Sequence, residues 1–405
     1  MKVLMFGWEF PPYSSGGLGT ACYGLTKSLS KLHIDITFIL PYGRDVAEYD
    51  FLHLRPINSI KIKTIKSMLT PYMSSQSYSD EIRKNKRSAA KLAVIYSDSL
   101  FDEVYRYSEE AKLIAMEEDF DIIHCHDWMT FKAGINAKIA RNRPLVVHVH
   151  STEFDRTGGD HVNQYVYDIE REGMEAADAV IAVSNFTKNK IIKHYGINPD
   201  KVYVVHNAVD FSGEGDDSGF RISKYNKMVL FLGRITLQKG PDYFLYAAKR
   251  VLQRDPNVKF IIVGKGDMER FIIEKTAELG ISKSVTFAGF LQGRDIDRIY
   301  KMADLYVMPS VSEPFGIAAL EAMRNGTPLL VSKQSGVSEV VKHCLTADFW
   351  DVDELANKIL SALKYKALHE TLKEHGSVEV KKFSWDVPAQ KCIEIYNRFV
   401  SVLQH

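Results

Sequence analysis

The chain has 405 residues and carries 52 Lys plus Arg against 51 Asp plus Glu, a formal net charge of +1. That length allows two or three domains, each with a sizeable core, and the balanced charge excludes a whole-molecule field directed at nucleic acid or an anionic membrane. The four cysteines, Cys22, Cys125, Cys344 and Cys392, form no CxxC pair, which excludes a disulfide framework and leads us to expect buried thiols in a reducing, cytoplasmic setting.

In chain order, the first predicted strand is Val3 to Phe6, an apolar run too short for a signal peptide. Gly16-Gly17-Leu18-Gly19 follows and opens a helix near Thr20; its bare backbone suits close packing or approach to a phosphate, and the motif is not a G-x-G-x-x-G fingerprint. After a strand at Ile34 to Leu40 the text is least regular from Asp50 to Lys91. There Ile60, Ile62 and Ile65 interleave with Lys61, Lys63 and Lys66 as in a half-exposed strand, and Thr70 to Asp80 reads as a polar loop. With Arg83, Lys84, Lys86 and Arg87, the 61–91 region is either a solvated face or a weak contact for an acidic surface or phosphorylated acceptor.

Strands at Asp121 to His124, Leu145 to Val149, Ala179 to Val183 and Val202 to Val205 alternate with helix-period stretches, the pattern of a parallel sheet covered on both faces. Phe211 to Tyr225 is Ser/Gly/Asp-rich and suits a linker. The alternation then restarts at Met228 to Leu232, Lys259 to Val263, Val285 to Ala288, Leu305 to Met308 and Leu329 to Val331. The expectation is an α/β protein of two doubly wound, Rossmann-like units, 1–210 and 211–385, with a final helix at 386–405 behind the Phe383-Ser384-Trp385 anchor. No stretch has the length needed to span a bilayer.

Glu313 and Glu321 stand seven residues apart, one before a helix predicted over Phe315 to Arg324 and the other about two turns into it. Amides at Phe315, Gly316 and Ile317 with the positive helix end suit an anion, and the flanking carboxylates suit hydroxyls on either side of it. Ribose, diphosphate and sugar offer that order of groups. Gly233-Arg234 and Lys239-Gly240 place two cations just past a strand end; Arg grips phosphate oxygens as a fork and Lys as a point charge. Gly264-Lys265-Gly266, after a later strand, is unspecific.

His124-Cys125-His126-Asp127 and His148-Val149-His150 each close a strand, where residues i and i+2 share a face. Either pair with Asp127 would suit a metal-dependent hydrolase, the rival class. No further His/Asp set with ligand spacing completes such a site in the sequence; the other reading has one working histidine, His150, at a loop opening toward a cleft, with the rest satisfying hydrogen bonds inside the sheet.

Together these residues resemble the retaining GT-B glycosyltransferases, specifically glycosyltransferase family 4 and the related glycogen and starch synthases. The resemblance runs through Glu9-Phe10-Pro11-Pro12, the Gly-Gly-Leu loop, His124-Cys125-His126-Asp127-Trp128, His150, Val183-Ser184-Asn185, His206-Asn207-Ala208-Val209-Asp210, Gly233-Arg234, Lys239-Gly240 and the glutamate pair. It implies two Rossmann-like domains across a cleft, the last helix crossing back to the first. By carry-over, Arg234 and Lys239 neutralise the leaving diphosphate, Glu321 binds ribose and Glu313 binds donor-sugar hydroxyls. The amides after Glu313 and the loop at Gly16 and Gly17 complete the anion site, His150 contacts the donor sugar, and Asp127 and Glu9 line the acceptor side. The implied activity moves a hexose, glucose first, from ADP- or UDP-glucose to an α-glucan without a metal or cofactor. Ser14 stands where glycogen synthases carry Lys, which makes a lipid-linked or surface-polysaccharide acceptor the runner-up.

Overall fold

Apart from the strand Ile60–Lys66, where Ile and Lys interleave at the sheet edge, most strands in this chain are short and largely apolar, as suits a parallel sheet covered by helices on both faces. The computed structural model describes residues 1–10, 16–42, 60–67, 69, 78–79, 99–159, 161–211 and 226–400. In the first sheet, β1 (Lys2–Phe6), β2 (Asp35–Tyr42), β3 (Ile60–Lys66), β4 (Ile122–His126), β5 (Leu145–Val149), β6 (Ala179–Ala182) and β7 (Val202–Val204) run in the order β3-β2-β1-β4-β5-β6-β7. All neighbours pair in parallel. In the second, β8 (Met228–Leu232), β9 (Lys259–Val263), β10 (Val285–Gly289), β11 (Leu305–Met308), β12 (Leu329–Ser332) and β13 (Leu345–Ala347) run β10-β9-β8-β11-β12-β13, again in parallel.

Both sheets share one winding: the order reverses between the first and fourth strands of each. A crevice therefore opens at the carboxyl ends of β1 and β4, and another at those of β8 and β11, the place where open α/β sheets take their ligands. One apolar cluster fills the first unit and continues through Met308, Phe315, Leu320 and Val337 on the near side of the second. A separate cluster around Phe231, Phe244, Phe260 and Leu330 fills the far side. Each such buried side chain contributes about 1.5–3 kcal/mol.

The last helix, Asp386–Val400, packs on the helix Gly17–Lys31 of the first unit. Trp385 lies over Gly24, where an added Cβ would meet the indole at 2.2 Å. Ser28 Oγ donates to Asp386 Oδ1 at 3.1 Å, and the Arg398 guanidinium lies 5.4 Å from the Tyr203 ring centre. The crossing back that the resemblance implies is thus present.

Several boundaries differ from the sequence reading. The helix expected from Phe315 begins at Ile317, because Gly316 adopts φ 107°, a left-handed conformation that an α-helix does not tolerate. The helix expected near Thr20 begins at Gly17. Lys61 and Lys63 of the basic region converge on Glu118, so this part of the expected contact face is paired within the chain. The linker from 212 to 225, the Arg83, Lys84, Lys86, Arg87 cluster, most of the 70–80 loop and Ser14 lie outside the described residues. Among the described residues no helix is long and apolar enough to cross a membrane.

Candidate active site

At the first crevice, Gly16 is the extended residue before the helix Gly17–Lys31, and the space where a Gly17 Cβ would sit is open to 4 Å. Glu9 is fully buried, and its Oε2 accepts a hydrogen bond from the Gly19 amide at 2.8 Å. Its carboxylate therefore fixes the glycine loop against the end of β1, a role the sequence did not disclose.

Asp127 closes β4 with φ 61°, a left-handed backbone that few non-glycine residues adopt. Its Oδ1 accepts from the amides of His150 at 2.7 Å and Ser151 at 3.3 Å, tying the end of β4 to the end of β5. Part of Asp127 meets solvent, yet its carboxyl lies among protein atoms. That desolvation pushes it up to about 7, against the opposing pull of Arg156 and the two amides.

The four histidines share one side of the sheet, as the i, i+2 spacing and the register His126 opposite His148 require. His126 Nδ1 and His150 Nε2 lie 2.9 Å apart, His124 Nε2 and His148 Nδ1 3.3 Å apart, and His124 Nδ1 reaches the Tyr396 hydroxyl at 2.5 Å. Burial keeps the rings neutral: it holds His124 and His150 down to about 3 and the other two well below the ordinary value. His150 alone of the four keeps partial exposure.

At the second crevice, Gly233 and Arg234 follow β8, and Arg234 Nη2 donates to Gln238 Oε1 at 3.2 Å. Gly264 and Gly266 brace this loop: a Cβ at Gly264 would lie 1.9 Å from the Gly233 carbonyl oxygen, and one at Gly266 2.1 Å from that of Ile235. The Gly-Lys-Gly run that looked unspecific in the sequence thus positions Arg234. Lys239 ends a short 3₁₀ turn, and its Nζ pairs with Glu313 Oε2 at 2.5 Å. Ser310 Oγ donates to the same oxygen at 3.2 Å.

The Gln238 carbonyl accepts from the Val311 amide at 3.0 Å, so the cation loop and the Glu313 loop form one body. The Ile317–Arg324 helix starts here, with its first amides lacking intrahelical acceptors. Glu321 sits on that helix; burial, with the like charge of Asp297, pushes its carboxyl up despite Arg324.

Residues of the first unit hold the Glu313 loop. Ser312 Oγ donates to Asp155 Oδ1 at 2.5 Å, and Lys190 Nζ reaches both Asp155 Oδ1 at 2.7 Å and Ser312 Oγ at 2.6 Å. Ser184 and Thr187 hydroxyls donate to the Pro314 carbonyl at 2.5 and 3.3 Å. Glu339 accepts from the amides of Asn185 and Phe186 at 2.9 and 2.5 Å, with His206 Nε2 at 3.4 Å. Asp155, Lys190, Ser312 and Glu339 carry no motif of their own. The Val183-Ser184-Asn185 turn and the His206-Asn207-Ala208-Val209-Asp210 block gave the sequence signal for this seam.

Two parallel Rossmann-like sheets with the same winding are the architecture of the GT-B fold. The chain belongs to glycosyltransferase family 4: residues 15–212 match the family described as Glycosyltransferase Family 4, and residues 216–378 the one described as Glycosyl transferases group 1. It is 31% identical over 415 residues to an uncharacterized glycosyltransferase, MJ1607, of Methanocaldococcus jannaschii, covering 98% of each chain. A glycogen synthase of Mycobacterium tuberculosis is 24% identical over 407 residues, with 98% of this chain and 94% of that one covered. The catalytic domain of starch synthase IV from Arabidopsis thaliana, solved with ADP and acarbose, superposes with a TM-score of 0.73 at 17% identity, covering 98% of this chain and 99% of that one.

Proposed function

We propose that this glycosyltransferase moves glucose from a nucleotide diphosphate sugar, ADP- or UDP-glucose, to a hydroxyl of an α-glucan, with retention at the anomeric carbon and without a metal. The observation that carries the reading is the joined body of Arg234, Lys239, Glu313 and the Ile317–Arg324 helix start at the second switch point. Two cations and a helix dipole at one crevice supply the charge stabilisation that a diphosphate leaving group needs, the task a divalent ion performs elsewhere. Lys239 hands its Glu313 contact over to phosphate, and Glu313 is released to accept donor-sugar hydroxyls. Phe315, Gly316 and Ile317 present the anion-binding amides, and Glu321 takes the ribose.

Residues 211–385 hold the donor, and 1–210 with the final helix present the acceptor. His150 meets the donor sugar while Gly16 and Gly17 close over the diphosphate from the first unit; Glu9 and Asp127 shape the acceptor side by fixing the glycine loop and the His150 backbone. The full-length kinship with a glycogen synthase supports the glucan as acceptor.

The test is release of nucleoside diphosphate from ADP-, UDP- and GDP-sugars, with and without glycogen or maltooligosaccharides. Stimulation by glucan, with products lengthened by α-linked glucose in the presence of EDTA, is expected. Activity confined to lipid-linked acceptors would overturn the glucan assignment, and EDTA-sensitive activity would overturn metal independence.

A further inference from the structure

The histidine row has more ligating capacity than its hydrogen bonds use. His126 Nε2, His148 Nε2 and His150 Nδ1 are buried without a partner among the described residues. A neutral imidazole carries one proton on two nitrogens, so in the His126–His150 pair one ring donates and the other accepts. Whichever tautomer holds, one of the two outer nitrogens is then a bare lone pair that can take up the shared proton and free both facing nitrogens for a cation.

A thiol completes the set. Cys22, on the Gly17–Lys31 helix, is fully buried, and Cys22, His126 and His150 each offer a ligand atom, all within 4.8 Å of one another. The 2.9 Å between His126 Nδ1 and His150 Nε2 is a few tenths short of the ~3.3 Å between two nitrogens on one tetrahedral zinc. Burial pushes the Cys22 thiol well up, and the negative charges of Glu9 and Asp127 push it further; those same charges favour a cation beside it. The partly exposed His150 gives the entry path.

We infer that Cys22, His126 and His150 form a capture site for Zn²⁺ or a similarly thiophilic divalent ion, whose occupation stops transfer by tying up His150. The ion takes the place of the proton shared by His126 and His150. The Cys22 S–H bond breaks as the S–Zn bond forms, and that proton leaves to solvent. The shared proton moves to whichever outer nitrogen was bare, leaving His126 protonated on Nε2 and His150 on Nδ1, so no oxidant or reductant is required. Binding stands on the geometry alone, whereas the inhibition rests on the proposed role of His150.

Cobalt(II) is the probe, added to EDTA-dialysed full-length protein. One equivalent should give a thiolate-to-cobalt charge-transfer absorption with tetrahedral d–d bands, displaced by zinc and lost in Cys22→Ala. X-ray absorption of zinc-loaded wild type reads the same site without a variant: one sulfur at about 2.3 Å and nitrogens at about 2.0–2.1 Å. A shell without sulfur, or a cobalt band surviving in folded Cys22→Ala, overturns the site. Micromolar zinc should slow transfer by wild type at least tenfold and spare Cys22→Ala, with EDTA restoring wild type. Zinc-loaded protein that turns over at full rate overturns the inhibition. Cobalt binding through Cys22 in a chain inactive with every donor upholds the site and overturns the transferase reading.

Discussion

Lys239 and Glu313 pair with each other at the end of the β8 loop. On the proposed reading, this ion pair keeps both side chains oriented and limits the reorganisation needed when phosphate replaces the carboxylate. Charge builds on the diphosphate as the glycosidic bond breaks, so the cations matter more in the transition state than in donor binding. Arg234→Ala and Lys239→Ala should each lower kcat by about 10²- to 10³-fold with a smaller rise in donor KM, measured by steady-state kinetics. A KM effect alone would assign both residues to uniform binding. The Gly233-Arg234 and Lys239-Gly240 pair and the glutamate pair stood out in the sequence because each spacing is local to its own strand-loop-helix unit, whereas the meeting of Lys239 with Glu313 is tertiary. Cys22 was not, because it lies on another element and meets the histidines only after β1, β4 and the intervening helix are folded together.

At the scale of elements, the strands were readable from apolar runs, since buried parallel strands need no alternation. Three-residue β13 was missed because Leu345-Thr346-Ala347 gives no period to detect. Register, switch points and the seam around Ser312 to Pro314 are tertiary facts that no spacing encodes. The seam has a pH signature. Burial alone would raise the Glu339 carboxyl, but His206 and the amides of Asn185 and Phe186 outweigh it and hold the group below the usual carboxylate range. A depressed carboxyl stabilises above its unfolded pKa, near 4.3, and the stabilisation is lost as pH falls through the lower folded value. Glu339→Gln should therefore melt below wild type at pH 6–8, with the gap closing under about pH 4, as followed by thermal denaturation. At the other packing joint, Gly24→Ala drives a methyl into the Trp385 indole and should destabilise by about 1–3 kcal/mol in denaturant titrations.

For the whole molecule, the Arg234–Lys239 loop and His150 sit on separate sheets joined by a continuous apolar cluster and by hydrogen bonds around Ser312, Pro314 and Glu339. On the proposed reading the two units close on the donor, with that seam as the pivot. Saturating ADP- or UDP-glucose should reduce the radius of gyration seen by small-angle scattering; an unchanged value under saturation would argue for a preclosed enzyme. The last helix bears on a different timescale. Its Tyr396 hydroxyl meets His124, so the row of imidazoles opened by the first third of the chain is finished by residues near its other end. Synthesis normally lets the leading domain fold while the rest is still being made. Here the groove around Gly24 in that domain is filled only once Trp385 and the helix behind it have been made, so its packing is completed late.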